Sequence, residues 1–284
     1  SASGSTSSST VSSSAGSDQT AAVESSVDQT TESTTESEPA MTDNPATGTG
    51  ETVSGDGPDR FATLPPGTQL PTGAQCASWI SAADDEFEHR PDNAAANATV
   101  APSSVTSGLD IDGADPIRNR SLASRIDGGF TGTTDQILRW GACKWGFDED
   151  ITRARAVAES SWLMSTTGDR TDDGGLCDRI GLSAPCSQSY GLLQVKGTVH
   201  EGTYPSSARA SAFGVDYAMA WLRACFEGGF GWIDGSGNGP GYRAGDEWGC
   251  VGAWFSGRWW DQSANDYVGT VRSHLQQRTW ESYR

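Results

Sequence analysis

Apolar residues settle into helical spacing only in the second half of the chain. Ile137, Leu138, Trp140 and Ala142 share one face of a segment that Thr134 is placed to cap and that ends near Gly146. A second helix is predicted from Ile151 to about Met164. Acidic residues stand ahead of it at Asp148 to Asp150, and Val157, Ala158, Ser161 and Trp162 form its buried stripe. An Asp- and Gly-rich loop from Gly168 to Ser187 leads to a short apolar stretch, Tyr190 to Val195, and then to a long helix from about Ser206 to Phe226. Beyond a Gly-rich loop at 228–245 the pattern gives two more helices, about Asp246–Phe255 and Ser263–Trp280. Strand signals are few and no internal repeat is visible, so the expected class is mainly α, with a helical core over residues 131–284.

Upstream the periodicity fades. Residues 74–130 contain one short apolar stretch, Ala77 to Ala83, and are read as an irregular arm wrapped over the core, so that 74–284 form one domain. Asn97-Ala98-Thr99 within the arm matches a glycosylation sequon. Pro58, Pro65, Pro66 and Pro71 mark an extended linker over 61–73. Residues 1–60 hold 26 Ser or Thr, ten acidic residues, one basic residue and no aromatic, too little apolar surface to offset the entropy of ordering, so a disordered tail is expected there. A leader of this kind suits a processed, exported chain held away from a surface, with a lipid anchor ahead of the tail as one means of attachment.

Charge sharpens this division. Of the net −18, the tail accounts for −9 and the remaining residues for −9, so the folded part is itself acidic and a nucleic-acid partner is not expected. No apolar run is long enough to span a membrane. Six cysteines, all after the tail and without a CxxC, suit three disulfides better than a metal site. The expected pairs are Cys177 with Cys186, Cys225 with Cys250, and Cys76 with Cys143. The expected setting is therefore oxidising: a secreted monomer, or one anchored at the outer face of a bacterial cell membrane.

The candidate chemistry begins at Ala156-Val157-Ala158-Glu159-Ser160-Ser161-Trp162, where a carboxylate interrupts an apolar helix. With Trp162 beside it on the helix surface, burial would disfavour its ionised form and let it donate a proton near neutral pH. Pairing with Arg155 one turn earlier is the alternative. About thirty residues on stands Gln188-Ser189-Tyr190-Gly191-Leu192-Leu193-Gln194-Val195, and later Ala253-Trp254-Phe255-Ser256-Gly257 followed by Tyr267-Val268. Over about residues 133–280 this order resembles the lytic transglycosylases of the lysozyme-like superfamily. Those enzymes have a catalytic Glu followed by Ser, a Ser-x-Gly-Leu-Met-Gln stretch, an Ala-Tyr-Asn-x-Gly turn and a later Tyr-Val.

The resemblance implies a lysozyme-like helical domain and a polysaccharide substrate, peptidoglycan first. It makes Glu159 the general acid, with Tyr190, Gly191, Leu192 and Gln194 along the floor of a sugar groove, Ser189 orienting the acid, and Trp254 and Tyr267 near the substrate. Trp254-Phe255 replaces the family's Tyr-Asn, which opens the substrate to chitosan, a glucan or an arabinan.

A transglycosylase needs only the acid, whereas an inverting hydrolase needs a second carboxylate as base. The loop after Glu159 offers Asp173, on the flexible Asp173-Gly174-Gly175, as first choice and Asp169 as second. Trp259 and Trp260 in a turn are candidates for stacking on sugar rings. His89, His200 and His274 lack ligand spacing, and Ser160 and Ser161 lack a neighbouring His, so neither a metal, a cofactor nor a serine triad is expected. A glycan-binding protein without turnover is the alternative of another class.

Overall fold

The computed structural model describes residues 57–83, 87–237 and 239–283. The chain is mainly α. Helices α1 (Gly73–Ala83), α2 (Ala94–Asn97), α3 (Ser103–Thr106) and α4 (Pro116–Leu122) precede α5 (Thr134–Trp145) and α6 (Glu149–Ser160). A small sheet of β1 (Thr167–Gly168), β2 (Ser189–Tyr190) and β3 (Val195–Lys196) follows, with α7 (Gly174–Arg179) inserted after β1. The chain ends with α8 (Ser206–Arg209), α9 (Ser211–Phe226), α10 (Glu247–Ser256) and α11 (Gln262–Gln277).

Helix α9 is the axis of the core, and every one of its residues is buried. Such a helix can carry charge only where partners surround it. Asp216 accepts from Lys144 Nζ at 2.8 Å and from the Trp145 indole at 2.7 Å, and it also takes the backbone N–H groups of Asp127 and Gly128. Arg223 donates to Glu227 and to the carbonyls of Leu64 and Pro65. Helix α5 packs on α9, while α10 and α11 pack on one another and on α9 and α6 respectively.

The signals that set helix ends are read directly from local chemistry. Thr133 caps α5 in a reciprocal capping box with Gln136, one residue before the expected Thr134, and Gly146 closes the helix in the left-handed conformation. Asp148 caps α6. The three disulfides join α1 to α5 (Cys76–Cys143), close the α7 loop (Cys177–Cys186) and tie α9 to α10 (Cys225–Cys250), the pairing expected from the sequence. They suit an oxidising, extracytoplasmic setting. Among the described residues no helix is long and apolar enough to cross a membrane.

Four expectations change. The segment at 61–73 is extended but fixed to the core: Phe61 is buried, Leu64 N–H donates to Gly146, and Arg60 forms an ion pair with Asp148. The arm at 74–130 is more helical than its composition suggests, because the disulfide at Cys76 and the buried Ile80 turn α1 onto α5. The Asn97 amide is turned inward, donating to Glu88 at 2.7 Å and Thr134 at 3.0 Å, so its sequon is not presented for modification. The long helix expected from Ser206 is broken at Ala210, whose backbone is extended. The Ser- and Thr-rich residues 1–56 lie outside the described residues.

Candidate active site

Glu159 occupies the last turn of α6, and the way that helix stops decides what surrounds it. Ser161 and Trp162 both take left-handed backbone angles, φ 51° and 64°, so the helix ends at Ser160 and not near Met164. The chain then reverses, and Trp162 swings under α6, where its indole donates to the Arg153 carbonyl at 3.1 Å. It is core and does not wall the acid as its spacing on a continued helix would require. Ser160 Oγ, at 2.9 Å from the Leu192 carbonyl, fastens the end of α6 to the β2–β3 hairpin.

The Glu159 carboxyl is enclosed from the opposite side, by α10 and α11. Tyr267 Oη donates to Oε1 at 2.5 Å. Phe255 lies parallel to the Tyr267 ring, 4.6 Å between centroids. Burial pushes the Glu159 pKa up to about 7; Tyr267, Arg155 and the Trp254 indole pull it down, and the charge of Asp169 pushes it further up. The Tyr267 hydroxyl itself is held well above its usual range by burial and by Glu159, so it remains a donor. Arg155 acts on the acid through space: it is fully buried and its Nη1 points to Met219 Sδ, with no ion pair to Glu159 among the described contacts.

The small sheet supplies a second carboxylate. Its antiparallel register sets Gly168 opposite Ser189, and Ser189 opposite Lys196, so the residues bordering β1 converge with these two side chains. Asp169, left-handed at φ 53°, accepts from Ser189 Oγ at 2.6 Å and from Lys196 Nζ at 3.2 Å. Ser189 therefore orients Asp169 and not Glu159. A cavity of about 320 Å³ lies between the two carboxylates, lined also by Gln194, Lys196, His200 and Trp254. Gln194 Nε2 is committed to the carbonyls of Gly191 and Thr166 at 2.8 and 3.0 Å, which leaves its Oε1 as the acceptor that can serve a ligand.

The structure thus brings together Glu159, Asp169, Ser189, Gln194, Trp254 and Tyr267. It places the other candidates elsewhere. Asp173 is exposed and caps α7, its Oδ1 accepting from Gly175 and Leu176 N–H, so its oxygen is used for the backbone and does not reach the cavity. Tyr190 is buried against Tyr204 and donates to the Ser187 carbonyl. Gly191 is confined by the Ser207 carbonyl, which would stand 2.6 Å from any Cβ at φ 77°, and Leu192 is core. Trp259 is 1% exposed and fills the space over Gly249, so it cannot stack on a sugar, and Trp260, half-buried and donating to Asp246, does not line the cavity beside Glu159.

Three lining residues escape sequence reasoning. Lys196 becomes visible only once β2 and β3 are paired. Phe255 could have been found beside Trp254. His200 carries no local signal: it is buried parallel to Trp254, 5.2 Å between centroids, and burial lowers its pKa to about 4, so it is a neutral wall. Among the described residues no group of three or more His, Cys, Asp or Glu side chains is placed to hold a metal ion. Comparison with protein-family models, with curated proteins and with solved structures finds no match to this chain.

Proposed function

We propose that this chain is an exported, polysaccharide-cleaving enzyme in which Glu159 is the general acid and Asp169 the second carboxylate. The observation that carries the reading is a pair of carboxyl groups on one cavity whose surroundings differ in kind. Glu159 is held up to about 7 by burial, whereas Asp169 lies against an ammonium and a hydroxyl. Separating two carboxyl groups in this way is how one acts as acid and the other as base at the same pH.

The hydrogen bond from Tyr267 to Oε1 fixes which oxygen of Glu159 carries the proton. Oε2 holds it and delivers it to the oxygen of the leaving sugar, so that the glycosidic bond breaks with its electron pair passing to that oxygen. Lys196 and Ser189 both engage Asp169 Oδ2, which leaves Oδ1 to accept a proton from an attacking water. That makes hydrolysis the preferred reaction. If Asp169 serves only to polarise the cleft, the remaining machinery is that of a lytic transglycosylase, which needs a single acid and lets the sugar's own hydroxyl attack. The resemblance to that family supports the placement of Glu159 and a secreted or surface-anchored setting.

The test is to incubate the protein with purified peptidoglycan, chitosan, glucans and arabinans and to identify products by mass. Fragments carrying added water are expected. Anhydro ends would remove Asp169 from the base role, and intact polymer throughout would leave a glycan-binding protein in place of an enzyme.

A further inference from the structure

The cavity over Glu159 does not end at its own walls. Phe255, Trp254, His200 and Lys196 also line a second depression of about 210 Å³, which reaches Trp232 and Asp112. From Asp112 and Val199 this opens into a wider trough that holds Asp110 and Glu201.

Two aromatic rings border this path with faces open to solvent. Trp232 is 52% exposed and Phe255 56%, yet neither is loose. The Trp232 indole donates to the Gly113 carbonyl at 2.8 Å, and Phe255 is backed by Tyr267. Rings that are exposed but already ordered lose little entropy when a flat apolar face settles on them, and this is what sugar rings present.

The far end is anionic: among the described residues Asp110, Asp112 and Glu201 line it against one cation, Arg179. Among the described residues the one basic side chain paired with Asp112 is His200, through Nδ1 at 4.0 Å. That nitrogen is buried, has no hydrogen-bond partner among the described residues, and belongs to a ring that burial keeps neutral. Burial and the charge of Glu201 both push the Asp112 carboxyl upward, as expected for like charges facing one another without a cation between them. Lys196 is engaged by Asp169, and Arg179 turns to the Thr198 carbonyl.

We propose that this path is the continuation of the substrate cleft and takes a polysaccharide with free, protonated amino groups, its ring faces on Phe255 and Trp232 and an ammonium group against Asp112 and Glu201. An anionic polymer would be repelled along the same route, and a fully acetylated one would leave the two carboxylates uncompensated. The inference rests on the reading of Glu159 only for the direction of the chain through the cleft.

Binding is therefore measured in Glu159→Gln of the full chain, by calorimetry at mildly acidic pH, with glucosamine oligomers and N-acetylglucosamine oligomers of equal length. The glucosamine oligomers are expected to bind about tenfold more tightly, a steering that complementary charge can supply. Asp112→Asn with Glu201→Gln should bring the two ligands to within about twofold, since both side chains are exposed and their removal leaves no buried charge. Trp232→Ala should weaken both ligands by a similar factor, about tenfold for a lost stacking face. Equal binding of the two oligomers, tighter binding of the acetylated one, or a preference that survives the double substitution overturns the proposal. Glucosamine oligomers that bind but are never cut by the unsubstituted protein would instead remove the catalytic reading and leave this one standing.

Discussion

Among the described residues two carboxyl groups are pushed up to about 7, and only one of them faces a cavity shared with a second carboxylate. Glu159 lies at the end of α6, beside Asp169 and under Tyr267. Glu247, at the start of α10, is pushed up by burial and by Asp148, and its Oε2 accepts from Thr63 Oγ1 at 2.8 Å in the segment strapped over the core. Arg155 pulls both groups down from the same buried position. The comparison teaches that a raised carboxyl pKa marks desolvation and nothing more. What distinguishes Glu159 is open space in front of it and a partner that can do the complementary proton transfer.

The largest effect that separates the two sites is on rate. Glu159→Gln should lower kcat by about a thousandfold, within the range for loss of a positioned general acid, while Glu247→Gln should leave turnover unchanged; initial rates on a cleaved polysaccharide check this. A thermal or denaturant melt sharpens the same division between cleft and core at a residue whose sequence position suggested the cleft. Trp259→Ala should cost about 3–5 kcal/mol of stability, because it empties a fully enclosed site. Asp169→Asn should reduce kcat by about a hundredfold with binding retained, as for removal of a positioned base; unchanged turnover would reassign the cleft to single-acid chemistry.

Stability against pH gives a smaller effect, and here the two carboxyl groups should behave alike. The folded state keeps a proton on Glu159 and Glu247 to higher pH than the unfolded chain, whose carboxyl value is 4.5. The native state therefore binds more protons between 4.5 and about 7, and stability falls as pH rises through that window. Glu247→Gln should raise Tm at about pH 8 relative to the unsubstituted protein, by roughly 2 °C, and by less at the acidic edge of the window. A Tm difference independent of pH would mean that Glu247 is ionised when folded.

Much of the helical core is legible in the chain, since α5, α10, α11 and the body of α9 follow from apolar spacing, and the cysteine pairs from their positions. Glu159 is singled out by its place ahead of Gln188 to Val195 and not by its helix, which also buries Glu149, Asp150, Arg153 and Arg155. The rest of the site is set by features without sequence signatures. Two successive left-handed residues that are not glycine move Trp162 off the helix face. The choice between Asp169 and Asp173 depends on which one the backbone consumes. Asp-Gly-Gly signals flexibility, but it also forms a helix start, and the cap uses Asp173. Trp259 and Trp260 follow a Gly-rich loop and suggest exposure, yet the absence of a side chain at Gly249 is what lets the Trp259 ring sink into the core.

The pH dependence of kcat/KM for the unsubstituted protein and Tyr267→Phe tests the central claim most directly, that protonated Glu159 is the acid. The account predicts a basic limb near about 7 in the unsubstituted protein. It also predicts that this limb moves to higher pH in Tyr267→Phe, because the lost hydrogen bond had favoured the ionised carboxyl. A limb that stays in place when Tyr267 is changed, or activity that persists unchanged well above that pH, would contradict it.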